Sequence, residues 1–113
     1  MAIENTNILD GMGYDEDSKT LFLLIEDELS WDKQKEMEHL NLLREKINSY
    51  IAYIGMGEYR TKYKNEVIKK KVIEIHSKYS LSENAKKYMD IAKKTTKSAN
   101  IFFEIYEGDF AKI

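Results

Sequence analysis

Two histidines and no cysteine carry most of the chemistry open to this chain of 113 residues. His76 lies in V-I-E-I-H-S (Val72–Ser77), where apolar and polar residues alternate. A strand of that period puts Val72, Glu74 and His76 on one face and Ile73, Ile75 and Ser77 on the other. In N-I-F-F-E-I-Y-E (Asn100–Glu107) the same period groups Phe102, Glu104 and Tyr106. If the two strands are neighbours, two carboxylates flank one imidazole, an arrangement suited to acid–base work or weak metal binding. The competing reading is charge pairing across an exposed sheet. It is preferred, because no pattern sets a serine or cysteine nucleophile beside His76. His76, Glu74 and Glu104 are therefore the catalytic candidates held in reserve, and no metal or cofactor is expected.

His39 forms E-x-x-H with Glu36. Carboxylate-bridged metal sites use that spacing because i and i+3 share a helix face, but they need a second such pair and further glutamates. The chain has one pair, so a helix-surface contact is expected. Asp15, Asp17, Lys19 and Glu26 imitate positions 1, 3, 5 and 12 of a calcium loop, yet Thr20 stands where glycine is required. Gly11-Met12-Gly13 and Gly55-Met56-Gly57 lack the third glycine of a dinucleotide fingerprint. Lys86, Lys93 and Lys97, with Lys87 and Lys94, make a basic helix face that suits phosphates. Asp90 interrupts it, and the net charge of the chain is −2. A solvated helix face is preferred to a nucleic-acid site.

The elements that position these residues follow from periodicity. Asn7–Tyr14 and Thr20–Asp27 read as strands joined by the polar turn Asp15–Lys19, a β-hairpin. The second strand is apolar on both faces and is expected to be covered on both. Leu40, Leu43, Ile47, Tyr50, Ile51 and Ile54 recur at helical spacing within a helix running from Ser30, its cap, to Gly57. A third strand lies within Val67–Tyr79. Ser80 and Glu83 suggest a capping box for a second helix, Leu81–Lys97, with Ala85, Tyr88, Met89, Ala92 and Thr96 inward. Asn100–Glu107 is the fourth strand. The order ββαβαβ predicts an α+β fold, a two-layer sandwich with both helices on one face of a four-stranded mixed sheet. Strand order is left open. One domain over 1–113 is expected, with 1–5 and 108–113 as flexible ends and Phe110 and Ile113 able to dock.

NILDGMGYDEDSKTLFLLIEDELSW, EHLNLLREKINSYIAYI and VIEIHSKYSLSENAKKYMDIA resemble a family of small bacterial proteins of unknown function. The resemblance covers roughly residues 5–95. Members carry D-H-L-x-W before the first helix; here the segment reads Asp27-Glu28-Leu29-Ser30-Trp31, with glutamate at the histidine position. The resemblance implies a bacterial, cytoplasmic protein and transfers no activity.

Composition agrees with a globular module: 42% of residues are hydrophobic and 34% charged. No apolar run approaches the roughly 18 residues of a membrane span. The start MAIENTN lacks the pattern of a secretion signal. Charge is uneven: residues 1–56 hold 12 acids and 5 bases, residues 57–113 hold 8 acids and 13 bases. A two-layer fold leaves one sheet face open, carrying Phe22, Leu24, Val72, His76, Phe102 and Tyr106. That face is too apolar to be left to water. The expected function is protein binding or self-association through it, as a homodimer or with a protein partner. The alternatives are nucleic-acid binding by the lysine face and a small enzyme centred on His76.

Overall fold

A computed structural model describes residues 3–108; the expectations for residues 1, 2 and 109–113, including Phe110 and Ile113, lie outside them. The alternating strands dictate the architecture. β1 (Gly11–Asp15), β2 (Thr20–Asp27), β3 (Lys70–Ser77) and β4 (Ile101–Glu107) form one sheet in the order β1-β2-β3-β4. β1 pairs antiparallel with β2; β2–β3 and β3–β4 are parallel. Leu21, Leu23, Ile25, Ile73, Ile75, Ile101 and Phe103 make one buried face. Against it α1 (Glu36–Gly55) sets Leu40, Leu43, Ile47, Tyr50 and Ile54, and α2 (Glu83–Thr96) sets Ala85, Met89 and Ala92. Ile3 joins the same core, fully buried. The result is the α+β fold in the order ββαβαβ, with both helices on one side.

Element ends differ from the periodic reading wherever a side chain competes for the backbone. α1 begins at Glu36, not Ser30. The Ser30 carbonyl accepts a hydrogen bond from His39 Nδ1 at 2.9 Å, and Trp31 stacks on the same ring. The segment before Glu36 thus folds back over the helix instead of opening it. Gly57, at φ +71°, ends the last turn as expected, its N–H donating to the Ile54 carbonyl. The cap of α2 is Ser82, whose hydroxyl accepts from the Ala85 N–H at 3.2 Å, rather than Ser80. The Leu81 N–H is held by the Glu107 carboxylate at 2.7 Å, which keeps the chain extended up to that point. The hairpin loop is Glu16–Lys19; the Asp15 carboxylate accepts from the Asp17 N–H and the Ser18 hydroxyl, and Lys19 turns the chain at φ +56°. β2 is sealed by helices on one side, while Phe22 and Leu24 on the other side are only half-buried.

β1 starts at Gly11, four residues later than the pattern suggests, because Asp10 replaces the ladder with its side chain. Asp10 Oδ2 accepts from the Glu26 N–H at 2.9 Å, and Oδ1 meets the Lys46 ammonium at 2.8 Å. Lys46 is fully buried and also donates to the Asn5 carbonyl at 3.0 Å. The Tyr50 hydroxyl accepts from the Asp10 N–H at 2.9 Å and donates to the Leu24 carbonyl. One aspartate therefore joins α1 to the edge of β2. Removing one member of a buried ion pair typically costs about 3–5 kcal/mol, because the other charge stays buried without it. Asp10→Ala is expected to lower urea stability by that amount, about 3–5 kcal/mol. Asp10→Ala combined with Lys46→Met is expected to recover part of the loss; additive losses in the double mutant would contradict the coupling.

Burial raises the Tyr50 phenol well above its ordinary value near 10, with the Asp10 and Glu26 charges adding to the rise. The native state therefore holds a proton that the unfolded state releases. The stability so contributed is complete below the unfolded value and is lost as pH climbs from there toward the native one. Urea midpoints taken from about pH 9 to 11 should fall with pH, and Tyr50→Phe should make that fall shallower. An equal slope in the variant would assign the alkaline loss elsewhere.

Candidate functional site

Register assembles the open face row by row. Gly13, Phe22, Val72 and Phe102 lie side by side across the four strands. The next row is Gly11, Leu24, Glu74 and Glu104, and the next is Glu26, His76 and Tyr106. Phe22, Leu24, His76, Phe102 and Tyr106 are all half-buried, so their outer surfaces reach solvent. Val72 lies between the two phenylalanines and is only 1% exposed. Gly11 makes room for Leu24: a Cβ there would come within 3.3 Å of Leu24 Cδ2. Lys70 closes one end of the strip, its ammonium 5.1 Å from the centre of the Phe102 ring.

The three catalytic candidates do share this face. His76 Nε2 is 3.4 Å from Glu74 Oε1, at the long limit of a hydrogen bond. The Tyr106 hydroxyl donates to Glu104 Oε1 at 2.9 Å, and its ring is tilted against His76 at 4.9 Å. The hydrogen bond to Glu104, then burial, then the charges of Glu104 and Glu74 raise the Tyr106 phenol. Glu104 is thus engaged by the phenol and Glu74 leans toward the imidazole. Among the described residues no three His, Asp or Glu side chains are placed to hold a metal ion.

Lys86 and Lys93 are exposed on α2, in the layer on the other side of the sheet, and Lys97 is exposed on the 3-10 turn Lys97–Ala99 that follows it. Lys86 faces Glu83 at 3.9 Å. Lys86, Asp90 and Lys93 border a shallow groove floored by Leu81, Met89 and Ile105. The acid within the stripe therefore stands between two of the lysines proposed to track phosphates.

A second centre was not read from the sequence as a pair. His39 is 2% exposed and Asp27 is fully buried. His39 Nε2 meets Asp27 Oδ2 at 2.6 Å, and Asp27 Oδ1 accepts from the Leu29 N–H at 3.1 Å. The Trp31 and His39 rings stack with centres 3.5 Å apart and 15° between planes. His39 is thus no surface partner of Glu36, which instead accepts from the Asn84 amide at 3.2 Å. The signals were present: Asp27 has the same strand parity as Leu21, Leu23 and Ile25, and His39 lies one turn before Leu43. A cavity of about 250 Å³ lies beside the ring, bordered by Leu29, Ser30, Lys35 and Leu42. Both ring nitrogens are engaged and one ring face is covered by Trp31, so the imidazole has no free nitrogen for proton transfer. The first and last residues of D-E-L-S-W are the two side chains that clasp it, while Glu28 between them is exposed.

These features define a class: a small mixed-sheet α+β protein, backed by two helices on one sheet face, with no helix among the described residues on the other. The chain belongs to DUF6572, a family of unknown function whose model matches residues 1–108. No curated protein matches the chain, and no solved structure does.

Asp27→Ala would strip acceptors from His39 and from the Leu29 N–H, at an expected loss of about 3 kcal/mol. Trp31 is the only tryptophan of the chain, so its fluorescence reports on the clasp. The variant should fold, unfold at lower urea, and show red-shifted native emission. Unchanged emission together with an unchanged urea midpoint would show that the clasp does not order the 28–35 segment.

Proposed function

We propose that this protein is a non-enzymatic binding module whose open sheet face docks a protein. One observation carries the reading: Phe22 and Leu24 on β2 and Phe102 and Tyr106 on β4, either side of β3, keep part of their surfaces exposed on the face against which no described helix packs. A row of aromatic and aliphatic side chains is costly to leave in water and usually marks an interaction surface. His76 adds to the set, whereas Val72, expected on the same surface, is buried between the two phenylalanines. The acid–base alternative is weaker, since the 3.4 Å approach of His76 to Glu74 is at the long limit of a hydrogen bond and His39 has no free ring nitrogen. The nucleic-acid alternative rests on Lys86, Lys93 and Lys97, and Asp90 breaks that stripe. The setting we propose is the bacterial cytoplasm, as the family resemblance implies. No helix among the described residues is long and apolar enough to cross a membrane.

The test is a photo-crosslinking phenylalanine analogue placed at position 102 in the full chain, expressed in cells. Adducts to protein are expected from position 102 and not from position 94 on the outer face of α2. They should disappear when Phe22→Asp is added. Equal labelling from both positions, or none from position 102, would overturn the reading.

A further inference from the structure

The charges around the open face say what kind of partner it suits. Glu26, Glu74 and Glu104 all lie on this face, in the two rows beyond Phe22, Val72 and Phe102. Glu74 and Glu104 are direct register partners on adjacent strands. Strands lie about 4.8 Å apart, and like charges set side by side at that spacing are unfavourable. Among the described residues, no ion pair joins a lysine or arginine to any of the three; the contacts are His76 on Glu74 and the Tyr106 hydroxyl on Glu104. Lys70 is the one cation of the face's rows, and it sits at the opposite end over Phe102. Four residues separate it from Glu74, about 13 Å along the strand. Among the described residues the face is therefore an apolar strip whose acidic end has no lysine or arginine partner.

A second copy of the chain fits this poorly. Two such faces packed around a two-fold axis would bring six carboxylates and two Lys70 ammonium groups into one interface, since each surface patch is repeated. Burying carboxylates without partners is among the costliest things an interface can do. Three strands of seven or eight residues and one of five span at most roughly 20 Å by 25 Å, about 500 Å² in projection. One helix or hairpin would cover it. Nucleic acid is excluded from this face by the same carboxylates.

We infer that the occupant of the open face is a basic protein, which lays an apolar ridge on Phe22, Leu24 and Phe102 and brings lysine or arginine to Glu26, Glu74 and Glu104. This rests on the reading of the face as a docking surface and adds the charge of the partner. Each carboxylate then gains the cation it lacks, and the mutual repulsion of Glu74 and Glu104 is relieved on binding. Electrostatic attraction also steers such a partner to the acidic end before the apolar strip is covered.

The probe is a helical peptide of leucine and lysine, with its glutamate-for-lysine counterpart as control. Each is titrated into the isotope-labelled full chain and followed by NMR. The lysine peptide is expected to shift the amides of Phe22, Leu24, Phe102 and Tyr106, and the glutamate peptide to shift none. The triple variant Glu26→Gln, Glu74→Gln, Glu104→Gln should weaken lysine-peptide binding about tenfold or more, and added salt should weaken binding to the unsubstituted chain. Equal binding of both peptides, shifts confined to another surface, no binding, or an unaffected triple variant would each overturn the inference. So would sedimentation showing a stable dimer that Phe102→Asp dissociates, since a second copy would then own the face. Adducts from position 102 alongside a failed titration would leave the docking surface standing without its basic partner. Failure of both would remove both.

Discussion

The structure depends on holding a buried ammonium. Lys46 projects from the middle of α1 into the core layer, where Asp10 and the Asn5 carbonyl meet its charge. That requirement pulls in the rest. Asp10 must lie beside β2, so the chain before β1 folds back toward α1, with Ile3 buried in the same core. The second oxygen of Asp10 then satisfies the Glu26 N–H, which would otherwise lack a ladder partner beyond the end of β1. Gly11 follows at once because its row is already filled by the Leu24 side chain. The Asp-Gly pair is thus a joint between a buried charge and a strand edge.

Apolar packing sets α1 against the sheet, but packing alone permits sliding by a turn at small cost. The polar contacts do not. His39, Lys46 and Tyr50 fall at i, i+7 and i+11, all within the buried stripe of α1. Their partners are Asp27 at the end of β2, Asp10, and the Leu24 carbonyl within β2. Three directional contacts spread along roughly 16 Å of helix fix its register and its polarity relative to β2. Each is buried, so shifting the helix by one turn would orphan all three together.

The fold was legible because its strands alternate and its helices keep one apolar stripe. The order of elements, both helices on one side, and the face assignment of Phe22, Glu74, His76, Glu104 and Tyr106 follow from periods of 2 and 3.6. Strand order was not legible, because four strands with these connections admit several arrangements. The errors at element ends share one cause. Asp10, Ser30 and Glu107 each send an oxygen to a partner distant in sequence, and propensity rules see only neighbours. The His39 clasp was missed for a related reason. A histidine next to charged residues on a helix reads as surface, and only the matching parity of Asp27 on β2 hints that the two meet in the core.

Charge shows most clearly what the sequence pattern conceals. Along the chain the acids concentrate in the first half and the bases in the second. The fold sorts them differently. Glu26 comes from the acidic half, Glu74 and Glu104 from the basic half, and all three reach the same sheet face. The lysines of α2 stay in the helical layer on the other side. On the sheet face the acids of both halves meet, while the lysines of α2 share the opposite layer with Glu36, Glu38 and Glu45 of α1. On the docking reading proposed above, the acidic end beside the apolar strip would draw a basic partner to the sheet face, while the lysines of α2 would disfavour that partner on their own side by like-charge repulsion.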